Sequence, residues 1–380
     1  MCIRDSFGAV RDKAPSDPTR APYYSQGPGP NPTTDGGPQS PDARAPDGAP
    51  LGPPPPTLLA KLVQVSNPRR LAIANDRVWV RGAIGLAFLD SRGPSGPTEI
   101  GQLPEAGGVT FDLGTTAVVL AATGNSACTA TVVGQKTARW CYDLTSPTRA
   151  DASTTYINGL LAVGSQIITI AGSRGIFVDY PTYIGNGNLD GVIAPGEIAG
   201  MALTTSNQGL IAVVRNQPSI RLTTNPIGVS DMSANTIATF TAPYDPFVGR
   251  IEIASNVTEV FFASGRPDTL RGGIFRKKFS EAGPAPGTLL TETNVPYASG
   301  ADGTTMAADA NYVYWAGGAA GPMAMSTCTT KPVAPKALFP SAGAQDNTTF
   351  AVAKAGSKLF FATNDGRVYS MDPPAVEACP

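Results

Sequence analysis

The chain has 380 residues, with 28 basic and 29 acidic side chains and no histidine. Without histidine there is no Ser-His-Asp or Cys-His nucleophile pair and no His-ligated zinc, copper or iron site. A net charge of −1 gives no electrostatic footprint for nucleic acid or an anionic membrane, 42 glycines and 36 prolines disfavour a helical protein, and no apolar run reaches the length of a membrane-spanning helix.

Met1-Cys2-Ile3-Arg4-Asp5-Ser6 matches the translation of a transposon-end sequencing adapter and is set aside from fold reasoning. This places the true N-terminus upstream, with any signal peptide or lipid anchor. Residues 7–56 then read as a disordered, Pro/Gly-rich linker, with 14 prolines between Ala14 and Pro56. Their few apolar side chains cannot offset the entropy of ordering, and the proline content favours an extended chain suited to a tether. Arginine outnumbers lysine 19 to 9 and Ala, Gly and Pro are abundant, the bias of a GC-rich bacterial genome.

From Thr57 to Pro380 short apolar alternations are separated by Gly, Asn, Asp and Pro clusters, the pattern of an all-β chain. A short strand, a polar turn and a strongly apolar strand recur seven times, over Leu71–Val80, Val109–Leu120, Leu160–Ile170, Ala202–Val214, Ile251–Phe262, Thr305–Trp315 and Phe350–Phe361. With Val78, Val118, Ile167, Leu210, Val260, Val313 and Leu359 taken as equivalent, the spacings are 40, 49, 43, 50, 53 and 46 residues. That period, with four strands per unit, predicts a β-propeller of seven four-stranded blades. Six or eight would follow if one weak repeat, first of all the fourth, is misread.

Blade seven shows the unit best. Phe350–Ala353 is its innermost strand, Lys358–Thr363 the second and Arg367–Met371 the third. Asn364-Asp365-Gly366 is a tight turn whose Asp-Gly is expected to supply positive φ angles. No fourth strand remains before Pro380, so Leu58–Gln64 is assigned to complete the blade and close the ring.

With Cys2 set aside, four cysteines remain. Cys128 and Cys141 flank a segment that reads as a hairpin between the third and fourth strands of blade two, which makes a local disulfide easy. A bridge from Cys328 to Cys379 would pin the C-terminal tail to blade six. The even count suggests an oxidising, extracytoplasmic compartment; the alternative is four buried thiols in a cytosolic protein. Neither pair has CxxC spacing.

Between blades three and four, Asn186, Asn188 and Asp190 offer oxygen donors at positions 1, 3 and 5 of a twelve-residue loop. Gly191 falls at position 6, the Val192 carbonyl at 7 and Glu197 at 12, the spacing of an EF-hand calcium loop. Asparagine at position 1 leaves only two carboxylates, so weak calcium binding is expected. Pro195-Gly196 forbids the usual following helix, and Ile176–Tyr180 before the loop reads as a strand. The alternative is an Asn/Gly-rich connection with no ion.

Asp309-Ala310-Asn311-Tyr312-Val313-Tyr314-Trp315, followed by Gly317-Gly318, resembles the repeat of exported bacterial propellers of predicted lipoprotein type, distantly similar to YWTD blades. Val260-Phe261-Phe262 and Leu359-Phe360-Phe361 fit the same pattern, and Val78-Trp79-Val80 fits loosely. The resemblance implies fold and location more than an activity. Tyr314, Trp315, Phe261 and Phe360 are expected to pack between blades, with ligand stacking as the alternative.

Asp112, Glu252 and Asp309 fall at or beside inner-strand ends, where a carboxylate cluster in the central channel would suit a glycosidase or lyase. They are not at equivalent repeat positions. The leading expectation is a non-enzymatic, monomeric, extracytoplasmic binding or scaffold module for a protein or glycan, with specificity in loops such as Ser264–Gly272 and Tyr244–Gly249. A carboxylate-based hydrolase or lyase, and the sensor domain of a larger envelope protein, are the other readings.

Overall fold

The computed structural model describes residues 55–101, 118–133, 136–145, 149–153, 157–163, 166–171, 175–180, 185–187, 198–203, 209–214, 219–224, 234–239, 253–265, 272–281, 285–293, 306–317, 320–328, 334–339 and 349–376. All of them lie in the second of two compact units, Leu51–Pro380. The expected linker and the adapter-like hexapeptide lie outside them.

Among the described residues, 28 strands form seven antiparallel four-stranded sheets. Six sheets take four consecutive strands, lettered a to d from the innermost outward. The a strands are Ser66–Ala74, Val118–Thr123, Ile157–Val163, Ile198–Leu203, Ile253–Ser255, Met306–Ala308 and Thr349–Ala355. Each contacts the a strand of the next sheet, and Thr349–Ala355 contacts Ser66–Ala74, so the sheets form a closed ring. This is the architecture of a β-propeller, in which closure hides the long sheet edges that a chain with few charges cannot guard.

The b strands explain the aromatic doublets. Successive side chains on a strand point to opposite faces, so an apolar b strand serves two inter-sheet cores at once. In sheet 6, Val313 and Trp315 pack with Phe261 and Ile274 of sheet 5, while Tyr312 and Tyr314 pack with Leu359 and Phe361 of sheet 7. Phe360 turns to the core shared with Val78 and Val80 of sheet 1, and Trp79 faces Ala127 and Trp140 of sheet 2. The expected packing role of Tyr314, Trp315, Phe261 and Phe360 is therefore the one observed. Sheet 2 lacks an aromatic doublet on its b strand, and its c strand supplies the mass instead. Trp140 and Tyr142 stack into a cluster with Trp79 and Phe88, at centroid distances of 4.9 to 6.2 Å.

Two register expectations need correction in sheet 2. Val118 belongs to the a strand and Ser126–Val133 is the b strand, so the residue equivalent to Val78 is Ala127. The alternation in Val109–Leu120 mimics a strand–turn–strand unit, which displaces the apparent repeat by nine positions. Cys128 and Cys141 accordingly face each other across strands b and c, not c and d, and they form a disulfide with a Cα–Cα distance of 4.1 Å. With the register moved, the packing agrees: Ala127 faces sheet 1, as Val78 faces sheet 7.

Sheet 7 is completed by Thr57–Lys61, which pairs antiparallel with Arg367–Met371 as its d strand. Thr57 lies opposite Ser370 and Lys61 opposite Arg367. Leu59, Ala60, Leu62 and Val65 are buried in the core between sheets 7 and 1. In the adjoining turn only Gly366 has a positive φ, 88°; Asp365 does not, against the expectation from Asp-Gly. The glycine also lets its carbonyl accept the Leu62 N–H at 2.8 Å, because a Cβ there would lie 2.7 Å from the Leu62 carbonyl oxygen.

Candidate functional site

Because neighbouring strands run antiparallel, the a–b turns and c–d segments leave one face of the ring, here the ab face. The b–c turns and d–a connections leave the other, the bc face. The two faces are built differently.

On the ab face the a–b turns are short, and among the described residues they link sheets 1 and 2, 5 and 6, and 6 and 7. Asn75 and Asp76 adopt left-handed φ values of 45° and 58°, which asparagine and aspartate tolerate in a two-residue hairpin turn. Arg77 then reaches across to donate to Asn125 Oδ1 at 3.0 Å in the next sheet's turn. In sheet 5, Asn256 Oδ1 accepts the N–H groups of Thr258 and Glu259, and its Nδ2 donates to the Asp309 carbonyl at 3.0 Å in sheet 6.

Asp309 is the centre of this network. Its Oδ1 accepts the N–H groups of Asn311 and Tyr312, both at 2.8 Å. Its Oδ2 accepts the Tyr314 hydroxyl at 2.9 Å and lies 3.4 Å from Lys354 Nζ of sheet 7. Burial, and then the bond to Asp309, hold the Tyr314 hydroxyl above the ordinary tyrosine range. The Asp-Ala-x-Tyr-Val-Tyr motif is thus a self-capped turn whose acid also joins sheets 6 and 7. Asp309 was a candidate channel carboxylate; both its oxygens are engaged structurally. Asp112 and Glu252 lie outside the described residues.

Three polar features have no signal in the sequence pattern. Arg81 is fully buried on strand b of sheet 1 and donates to Thr129 Oγ1 at 3.2 Å and to the carbonyls of Gly82 and Gly85. Glu259 is 4% exposed, one carboxylate oxygen has no hydrogen-bond partner, and burial pushes its carboxyl above the ordinary range despite Arg276 and Lys278 nearby. Glu99, on the d strand Thr98–Ile100 of sheet 1, accepts the N–H groups of Val63, Gln64 and Val65 at 2.6 to 3.0 Å. It fixes the crossover from the ring-closing strand to sheet 1. All three lie at positions where apolar alternation or a loop would be read, and the Thr129 partner of Arg81 and the Val63–Val65 partners of Glu99 are distant in sequence.

On the bc face the connections are long. The a–b turns span two to five residues and the c–d segments four to nine, whereas on the bc face the b–c turns span one to six and five of the seven d–a connections span ten to seventeen, by the bounds of their flanking strands. The candidate calcium loop joins strand d of sheet 3, Gly185–Gly187, to strand a of sheet 4. The backbone of Asn186 is paired with that of Phe177, so the expected strand before the loop is followed by a second one. Asn188, Asp190, Val192 and Glu197 lie outside the described residues. Tyr244–Gly249 and residues 266–271 of the Ser264–Gly272 segment lie outside the described residues; in chain order the first falls between strand d of sheet 4 and strand a of sheet 5, the second between strands b and c of sheet 5. The described strands that flank all three segments end on the bc face.

Cys328 lies two residues beyond strand c of sheet 6, Pro322–Ser326, at its ab-face end, and is disulfide-bonded. Its expected partner, Cys379, lies outside the described residues. The tail nevertheless tracks this face, since the Tyr312 hydroxyl donates to the Ala375 carbonyl at 2.8 Å. Among the described residues no three His, Cys, Asp or Glu side chains cluster as a metal site, and no helix is long and apolar enough to cross a membrane.

No protein-family model matches the sequence, and no curated protein matches it. Solved structures match the fold. A catalytically inactive histidine-to-alanine variant of virginiamycin B lyase from Staphylococcus aureus, crystallised with quinupristin, is 15% identical over 83% of this chain and 98% of its own, with a TM-score of 0.52. The N-terminal domain of Nup159 is 11% identical over 84% of this chain and 98% of its own, with a TM-score of 0.51. At these identities the likeness is one of β-propeller fold.

Proposed function

We propose that the protein is a seven-bladed, monomeric, extracytoplasmic propeller that acts as a binding or scaffold module, tethered to the bacterial envelope through residues 7–56. The contrast between the two faces carries this reading. Among the described residues, a–b turns on the ab face bond from blade to blade in three places, whereas the long d–a connections, where recognition of a protein or glycan is expected, lie between strand ends on the bc face. The Cys128–Cys141 disulfide and the bonded state of Cys328 support an oxidising compartment, with Cys328–Cys379 as the second bridge. A photo-crosslinking residue at Ile84, 40% exposed on the bc face, should capture a partner in cells, whereas one at Val257, 79% exposed on the ab face, should not. Capture from Val257 alone would overturn the assignment.

An enzymatic reading draws less support. The lyase of similar fold is inactive when a histidine is replaced, and this chain has no histidine to fill such a role. A carboxylate mechanism would also have to proceed without Asp309, whose oxygens are occupied. Calcium at Asn186, Asn188, Asp190, the Val192 carbonyl and Glu197 would order the bc face rather than catalyse. Titration calorimetry should show weak binding that Asp190→Ala and Glu197→Ala abolish; no heat at millimolar calcium refutes it.

A further inference from the structure

The position of the ring-closing strand has a mechanical consequence. Thr57 lies opposite Ser370, at the end of the sheet where strand c of sheet 7 finishes, so the chain enters the ring on the ab face. The strand runs to Lys61, opposite Arg367, and reaches the bc face at Leu62, whose N–H is held by Gly366. Beyond it the three consecutive N–H groups of residues 63 to 65 converge on Glu99. The segment that precedes Thr57 is thus covalently joined to one end of a strand whose other end is anchored in two sheets.

We infer, resting on the tether reading proposed above, that Thr57–Val65 is a shear-loaded clasp, which carries tension arriving through residues 7–56 along the strand to the bc face. If the opposing load acts on the bc face, every rung of the ladder and the Glu99 bonds are strained together. If it acts at Asp372, beside Thr57 at the same end of the sheet, the rungs open in succession, beginning with Thr57–Ser370. Glu99 stands at the far end and takes no share in that first step. A partner on the bc face would therefore pull against the strong direction of the clasp, and the weak direction would lie between the two chain ends.

Single-molecule pulling of the full chain tests this, since forced unfolding reads the kinetic barrier directly. One handle is the N-terminus. The other is introduced as Ala320→Cys, in the exposed b–c turn of sheet 6, or as Asp372→Cys, both in a Cys2→Ser background. The clasp requires a first-rupture force several-fold higher against position 320 than against position 372 at the same loading rate. Glu99→Ala should lower the first force and leave the second unchanged. Equal forces in the two geometries overturn the proposal, as does a Glu99→Ala effect of equal size on both. The comparison of geometries in the chain with Glu99 intact stands even where Glu99→Ala fails to fold. It also stands on geometry alone, so it supports or overturns the clasp whatever cell fractionation shows about envelope attachment.

Discussion

Replacing Asp309 by alanine tests whether this acid is a structural hub. The change removes the acceptor for the N–H groups of Asn311 and Tyr312, the Tyr314 hydroxyl and the Lys354 ammonium. Loss of the turn cap costs about 1 kcal/mol by analogy with helix caps. Stranding a buried hydroxyl costs about 1–3 kcal/mol. The ion pair, whose side chains are 17% and 20% exposed, adds about 0.5 kcal/mol. The expected total is about 2.5–4.5 kcal/mol, a fall in Tm of roughly 4–7 °C for a domain of this size. Denaturant unfolding followed by tryptophan fluorescence reads it well, because Trp79, Trp140 and Trp315 all lie in inter-sheet cores. Combining Asp309→Ala with Tyr314→Phe should give a coupling of about 1–2 kcal/mol, since the second change removes the hydroxyl that the first one strands. A variant within about 0.5 kcal/mol of the parent, or strict additivity of the pair, refutes the hub.

Glu259→Gln should stabilise the protein at pH 7 and be neutral near pH 4. The folded carboxyl is held above its unfolded value of about 4.3, so its contribution is complete below that value and is lost as pH rises through the raised one. Melting curves across this range check the sign, and a stability gap that widens toward acid contradicts it. Cys128→Ser should cost about 2–4 kcal/mol, as expected for opening a loop with a 13-residue separation, and the gap should close when parent and variant are both melted in reductant, which also opens the Cys328 bridge. Gly366→Ala should destabilise by about 1–3 kcal/mol, because it places a side chain at φ 88° against the closure strand; hydrogen exchange at Leu62 should quicken first, and unchanged protection there would count against the role of this turn.

Much of the ring was readable because most b strands carry consecutive apolar residues after a polar turn, a pattern that packing on both faces imposes in sheets 1, 5, 6 and 7. The closing strand was readable for a related reason: the last blade lacked one strand and the first apolar segment, Leu58–Gln64, had no other place. The error in sheet 2 arose where a c strand carries the aromatic mass, so that Val118 offered a better local match than Ala127. The turn at Asp309 was legible as a turn, but not as a hub, because Tyr314 and Lys354 reach it only once the strands have alternated and the sheets have met. Glu99, Arg81 and Glu259 were not legible. Their roles depend on partners fixed by tertiary packing, and a charge inside an apolar strand carries no local mark of what it will face. The donor spacing from Asn186 to Glu197 was legible, as were the loops 244–249 and 264–272, but only the topology showed that the strands flanking all three end on one face.

The strand that closes the ring also sets the order of assembly. Thr57 leaves the ribosome long before Ser370, yet the two must pair, so blade seven cannot be finished until nearly the whole chain has been made. Contacts of such sequence separation form slowly, and during the wait Thr57–Val65 is an unpaired, strongly apolar strand. Pro53-Pro54-Pro55-Pro56 lies immediately before it. Prolines cannot donate to a ladder, so this run ends the sticky stretch abruptly and denies a premature partner any further rungs. The polyproline run thus adds no rungs to the strand that must wait longest for its partner.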